Sequence, residues 1–254
     1  MNTRIILKAL VVVVAIAAGS AASWGATIDL TTKGASGSAN GAFFCQYDST
    51  SATGTGTIDS FVRLQAKDAG VEQGYNTDAK KPEFDDVKTG NFTHSIKVSD
   101  IPTVISGGVT YWQFLLDVGE GGGADSKISL DELKISVQRT GDLNVYADFK
   151  DTNTAYDLGD NWIKIDGGLV GSGNGRADML AYIPVSSFGS DQYLYLYSKF
   201  GVNVAADNSF EEWAYGNGAV PDGFGDPPVP EPATLSLLVL GGIATLIRRR
   251  NRRA

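Results

Sequence analysis

The chain has 254 residues, of which 31 are glycine and only one each is cysteine and histidine, with 43% hydrophobic and 20% charged residues. That balance excludes a disordered acidic tail, a coiled coil and a multi-pass membrane protein, and a lone Cys45 beside a lone His94 excludes an intrachain disulfide and the usual Cys/His zinc set. Net charge is −8, yet seven of the 21 basic residues and only one of the 29 acidic ones lie in the two end segments, so the middle carries −14 and repels phosphate backbones, which excludes nucleic acid as a partner.

Residues 1–26 open with Arg4 and Lys8, continue through an apolar run from Ala9 to Ala18, and end on small residues from Gly19 to Ser23. Basic start, short apolar core and small residues are the order of a secretory signal, and the run is too short for a comfortable retained anchor. Signal peptidase is therefore an expected partner. Ser20 and Ala22 fit the small-x-small rule for cleavage, and a second candidate cut follows Ala26.

Residues 27–214 read as one folded domain whose periodicity is mostly two, the period of a strand with one face buried. The runs are Thr57–Gln65, Phe92–Val98, Tyr111–Val118, Ser129–Val137, Leu143–Phe149, Trp162–Ile165, Met179–Val185 and Gln192–Phe200. In the last, tyrosines 193, 195 and 197 alternate with Leu194 and Leu196, which sends the two sets to opposite faces. Gly107-Gly108, Gly121 to Gly123, Thr140-Gly141-Asp142 and Gly167-Gly168 punctuate the runs. Many short strands without an amphipathic helix predict an all-β, antiparallel β-sandwich, its topology left open between jelly-roll and immunoglobulin-like, with a barrel as the runner-up.

Few residues in this domain suggest chemistry. His94 shares parity with Phe92, Ile96 and Val98, so it reads as a packed or edge histidine, and Cys45 beside Phe43-Phe44 reads as a small buried thiol. The glutamates 72, 83, 120, 132, 211 and 212 are numerous, but glycoside cleavage needs two acids at a set separation, which strand spacing does not define. Asp148, Asp151, Asp157 and Asp160 fall in a turn-rich stretch with Asn153 and Asn161, an oxygen-rich set that suits calcium, against a default role in capping turns. Trp112, Trp162, Trp213 and the three alternating tyrosines are candidates for stacking on sugars if exposed, with core packing the commoner fate of the tryptophans.

Residues 215–228 are rich in glycine and proline and read as a linker. Val229-Pro230-Glu231-Pro232 follows, then fifteen apolar or small residues, Ala233 to Ile247, and then Arg248, Arg249, Arg250, Arg252 and Arg253. Pro232 is tolerated in the first turn of a helix, and fifteen residues give about 22 Å of helix, slightly less than the hydrocarbon thickness. The arginines anchor the predicted transmembrane helix on the cytoplasmic side and leave the acidic domain outside.

These three features in this order closely resemble the PEP-CTERM sorting signal. That resemblance implies recognition of Pro230, Glu231 and Pro232 by an exosortase, a membrane-embedded processing enzyme of Gram-negative bacteria that make exopolysaccharide. It further implies transient anchoring in the inner membrane, removal of the tail, and delivery to the envelope surface or extracellular matrix. Blocks at 56–63, 72–77, 114–117, 129–133 and 210–213 are similar to ectodomains of the same sorting class, a similarity that brings no activity with it. The expected role is structural or adhesive and non-enzymatic, with no cofactor beyond the candidate calcium and with exopolysaccharide as a candidate partner. A carbohydrate-binding module, calcium-stabilised, is the alternative, and a surface hydrolase ranks last.

Overall fold

A computed structural model describes residues 25–216, except 48–58, 67, 69, 82, 88–90, 122, 124–125, 170–176, 186–191 and 208. The signal segment up to residue 24, most of the linker and the sorting tail lie outside the described residues. Among those described, no helix is long and apolar enough to cross a membrane.

Among the described residues the domain is mostly β, in two seven-stranded sheets. One runs β1 (Thr27–Asp29), β11 (Trp162–Asp166), β9 (Lys127–Gln138), β13 (Tyr193–Phe200) and β5 (Glu72–Tyr75), with β10 (Thr154–Asp157) also on β9 and β6 (Ile96–Lys97) also on β13. The other runs β2 (Ser36–Ala39), β3 (Ala42–Gln46), β12 (Met179–Pro184), β8 (Val109–Val118), β14 (Glu211–Tyr215) and β4 (Ser60–Leu64), with β7 (Thr103–Ser106) also on β8. Pairing is antiparallel apart from β1 on β11. The runner-up barrel would need these strands in one closed ladder, and they fall into two.

Both sheets turn side chains into one shared core, which holds Phe44, Phe61, Phe114, Leu116 and Trp213 from one sheet and Ile28, Ile135, Ile163, Leu194 and Leu196 from the other. The alternation in β13 sorts its side chains as expected: Leu194 and Leu196 enter that core, while Tyr195 and Tyr197 join Tyr75 and Phe149 on the opposite face. In β9 the inward residues are Ile128 and Leu130, then Leu133, Ile135 and Val137, so the parity changes once. The change coincides with an irregularity in register opposite Lys199 and Phe200, which pair with Glu132 and Leu130 and skip Asp131. A bulge of this kind turns one side chain out of the alternation. The Asp131 carboxylate then accepts bonds from the Val202 and Asn203 amides, at 2.7 and 3.2 Å, and holds the loop after β13.

Three stretches differ from expectation. Leu143–Phe149, predicted as a strand, contains a one-turn helix α1 (Tyr146–Phe149), because Leu143, Tyr146 and Phe149 meet the outer aromatic cluster at a spacing of three instead of two. Phe92–Val98 supplies only the two-residue β6. Within it Thr93 is buried and His94 half-buried, and His94 bonds through its amide to Phe61 O at 3.1 Å, so the shared parity of 92, 94, 96 and 98 does not hold. At the linker boundary, Tyr215 still pairs with Phe114 and stacks on Phe61 with ring centroids 6.0 Å apart, and the Gly216 amide reaches Gln113 O at 3.2 Å.

Candidate functional site

Four acids approach one rim where the sheets meet. Glu72 lies on the core side of β5, since its partner Phe200 belongs to the core, and Glu211 lies on the core side of β14, between its partners Leu64 and Val118. The two carboxylates sit close to the β4 edge. Ala66 N–H donates to Glu72 Oε2 at 2.9 Å, and Leu64, opposite Glu211, also packs where a side chain on Gly74 would lie.

The other two acids lie on adjoining loops that they tie together. The Asp207 amide donates to Glu120 Oε1 and Oε2, at 3.2 and 3.1 Å, while the Gly121 amide donates to Asp207 Oδ2 at 2.8 Å. Their side chains also bond each other, which requires a proton between two carboxyl groups. Burial pushes Glu72 up to about 7 and Glu120 up to about 8, with Asp207 raising both further.

The polar groups at this rim are not all matched. Glu72 is fully buried and its Oε1 has no hydrogen-bond partner, and Glu211, at 1% exposure, has none for either oxygen. Among the described residues no ion pair involves any of the four acids, whereas Arg63 holds the buried Glu212 at 2.6 Å with its guanidinium over the Phe92 ring. Among the described residues, too, no three Asp, Glu, His or Cys side chains are already gathered as an ion's ligands would be.

A second acid pair lies on the outer face of the other sheet. Asp178 accepts from the Val118 amide at 2.9 Å and bonds to the Asp117 side chain, and burial pushes it up to about 8. Asp86 accepts from the Tyr75 amide at 2.7 Å in the space left by Gly74, and burial pushes it up to about 7.

The residues singled out in the sequence are placed otherwise. Asp151 and Asp157 converge on Lys134 Nζ, at 3.3 and 3.0 Å, and Asp157 Oδ1 also caps the Gly159 amide at 2.9 Å. Asp148 and Asp160 are exposed and do not join them. Trp112 and Trp213 are core residues, at 1% and 0% exposure. Tyr195 and Tyr197 are buried beneath Tyr146, Phe149 and Phe84, with the Tyr146 and Tyr197 rings stacked 4.1 Å apart, so the tyrosine alternation builds an outer-face cluster and not an open row. Cys45 is buried against Phe43, Tyr111, Leu180 and Tyr182, and burial pushes its thiol up to about 12. The sorting residues Val229 to Pro232 and Arg248 to Arg253 lie outside the described residues.

Sequence reasoning named Glu72, Glu120 and Glu211 among many acids but did not group them. The one available signal was parity: Glu211 shares a face with Trp213, where a carboxylate needs a reason to be.

Comparison with known families finds the PEP-CTERM protein-sorting motif at residues 228–253. No curated protein and no solved structure matches the chain. The motif is an exosortase-substrate sorting signal, and it indicates export and transient membrane anchoring before surface display.

Proposed function

We propose that the two-sheet domain is a β-sandwich ectodomain with a structural or adhesive role, without enzymatic activity, delivered by exosortase processing to the outer envelope or the exopolysaccharide matrix. The sorting motif at 228–253 carries this reading, because it specifies a destination and leaves the domain outside the membrane as the part that persists there. Support also comes from where the reactive side chains lie. A cysteine-based nucleophile needs a thiolate, and burial keeps Cys45 protonated at neutral pH. The charge of −14 on the middle of the chain suits a hydrated matrix, where a strongly charged surface remains soluble.

Co-purification of the processed protein with exopolysaccharide from the producing cells tests the proposal. Retention on the polymer through washing at moderate salt is the expected result. Recovery of all the protein in the polymer-free fraction would overturn the matrix role.

A further inference from the structure

We propose that Glu72, Glu120, Asp207 and Glu211 form a binding site for one divalent cation of the calcium type, at the rim where β5 of one sheet approaches β4 and β14 of the other. An acidic cluster alone would not carry this. What carries it is the set of orphaned oxygens: Glu72 Oε1 and both oxygens of Glu211 are buried and meet neither a donor nor an acceptor. Buried carboxylate oxygens persist only where something satisfies them.

Buried water, a basic side chain, a proton or a hard cation can satisfy such oxygens, and titration with calcium separates the last from the others. A basic side chain is the usual answer, and among the described residues no ion pair reaches any of the four acids. A proton removes the charge but leaves the atom without a partner, as at Asp86 Oδ2. A hard cation answers all of these oxygens together, because it takes several carboxylates at once without asking for a hydrogen bond. The donor set is all oxygen, which suits calcium over the softer transition metals, and the chain's lone thiol is packed in a different cluster. Magnesium prefers to keep several of its waters and an octahedral shell, a poorer match to acids on a buried rim.

The main chains that carry the acids are already fixed. Glu72 is held in register by Phe200, Glu211 by Leu64 and Val118, and the Glu120 and Asp207 loops by their reciprocal amide bonds. The four carboxylates do not converge on a single point in this arrangement, so binding requires their side chains to turn toward the ion. Bound there, it ties the rims of the two sheets.

This proposal does not rest on the sorting reading and is tested apart from it. Full-length protein in detergent, stripped with EGTA at neutral pH, is titrated with calcium chloride by calorimetry, with magnesium chloride as a parallel arm. One calcium per chain is expected, together with a melting temperature that rises with calcium excess, since binding to the native state alone stabilises it by mass action. The double variant Glu72→Gln/Glu211→Gln is expected to fold and bind calcium at least tenfold more weakly. Asp151→Asn/Asp157→Asn, on the Lys134 surface, is expected to titrate as the wild type. If the double variant does not fold, Glu120→Gln is read in the same titration, with the same weakening expected. Absence of calcium binding, wild-type affinity in the rim variants, or magnesium binding as tight as calcium would overturn the proposal. So would a melting temperature that excess calcium leaves unchanged at neutral pH.

Discussion

Trp213 Nε1 donates to Ser198 Oγ at 3.0 Å, and both residues are fully buried. The bond runs from β14 in one sheet to β13 in the other, so one of the two core tryptophans also marks the register between the layers. An indole N–H in an apolar interior costs free energy unless it finds an acceptor.

Ser198→Ala is therefore expected to destabilise the domain by about 1–3 kcal/mol, the cost of an unmet buried donor. Trp213→Phe removes the donor, so the double variant should lose less than the sum of the single losses. Urea unfolding of the four proteins measures this, and strict additivity would show that the bond contributes nothing.

Stability in chelator should fall as pH rises through neutrality. Asp86 and Asp178 titrate in the folded state at about 7 and about 8, against an ordinary 3.8, with burial as the main cause and the carboxylates of Asp85, and of Asp117 and Asp166, adding to it. Between 3.8 and those values the folded state binds more protons than the unfolded one, so their contribution is complete below about pH 4 and lost as pH rises through about 8. The loss is on the order of a few kcal/mol. Asp178→Asn should flatten the pH dependence of the urea midpoint between pH 5 and 8. An equally steep profile in that variant would locate the titration elsewhere.

Signal cleavage should fall after Ala22 and not after Ala26. The Ala26 amide donates to Asn161 Oδ1 at 3.0 Å, and its carbonyl accepts from Trp162 N–H at 3.2 Å, which starts the parallel pairing of β1 with β11. Gly25 lies so close to the Asp160 carbonyl that a side chain would collide with it. A cut after Ala26 would strip these contacts from the first strand. Mass spectrometry of the mature N-terminal peptide should find Ser23 first, and Thr27 first would contradict the assignment.

The long strands were legible in the sequence because each has one face in the shared core. Tyr111–Val118, Ser129–Val137, Met179–Val185 and Gln192–Phe200 appear within a residue or two of their predicted bounds. The missed strands lack that pattern for identifiable reasons. β2 reads Ser-Gly-Ser-Ala and has little to alternate, and Gly37 is there because the Ile28 side chain occupies the space a Cβ would need, 2.8 Å from Cγ2. The turn that follows, Asn40-Gly41 with φ of 50° and 84°, is a hairpin signal that would have revealed β2 and β3 together. β3 is apolar on both faces, with Phe44 in the shared core and Phe43 and Cys45 in a second cluster, so it has no period to read. The acidic rim was illegible for a different reason. Glu72 and Glu120 lie far in the chain from each other and from Asp207 and Glu211, and only the fold brings the three segments together.

The sorting tail is the feature on which the destination of this protein depends. From the sequence, the arginines are expected on the cytoplasmic side and Pro230, Glu231 and Pro232 at the outer interface of the membrane, where two prolines disfavour helical hydrogen bonding. Replacing the three residues with alanine should leave export intact and trap the protein in the membrane fraction. The most direct measurement is mass spectrometry of the C-terminal peptide of wild-type protein recovered from the envelope or the medium. A new C-terminus that lacks Arg248 to Ala254 is expected, and surface-recovered protein that still carries those residues would contradict exosortase processing.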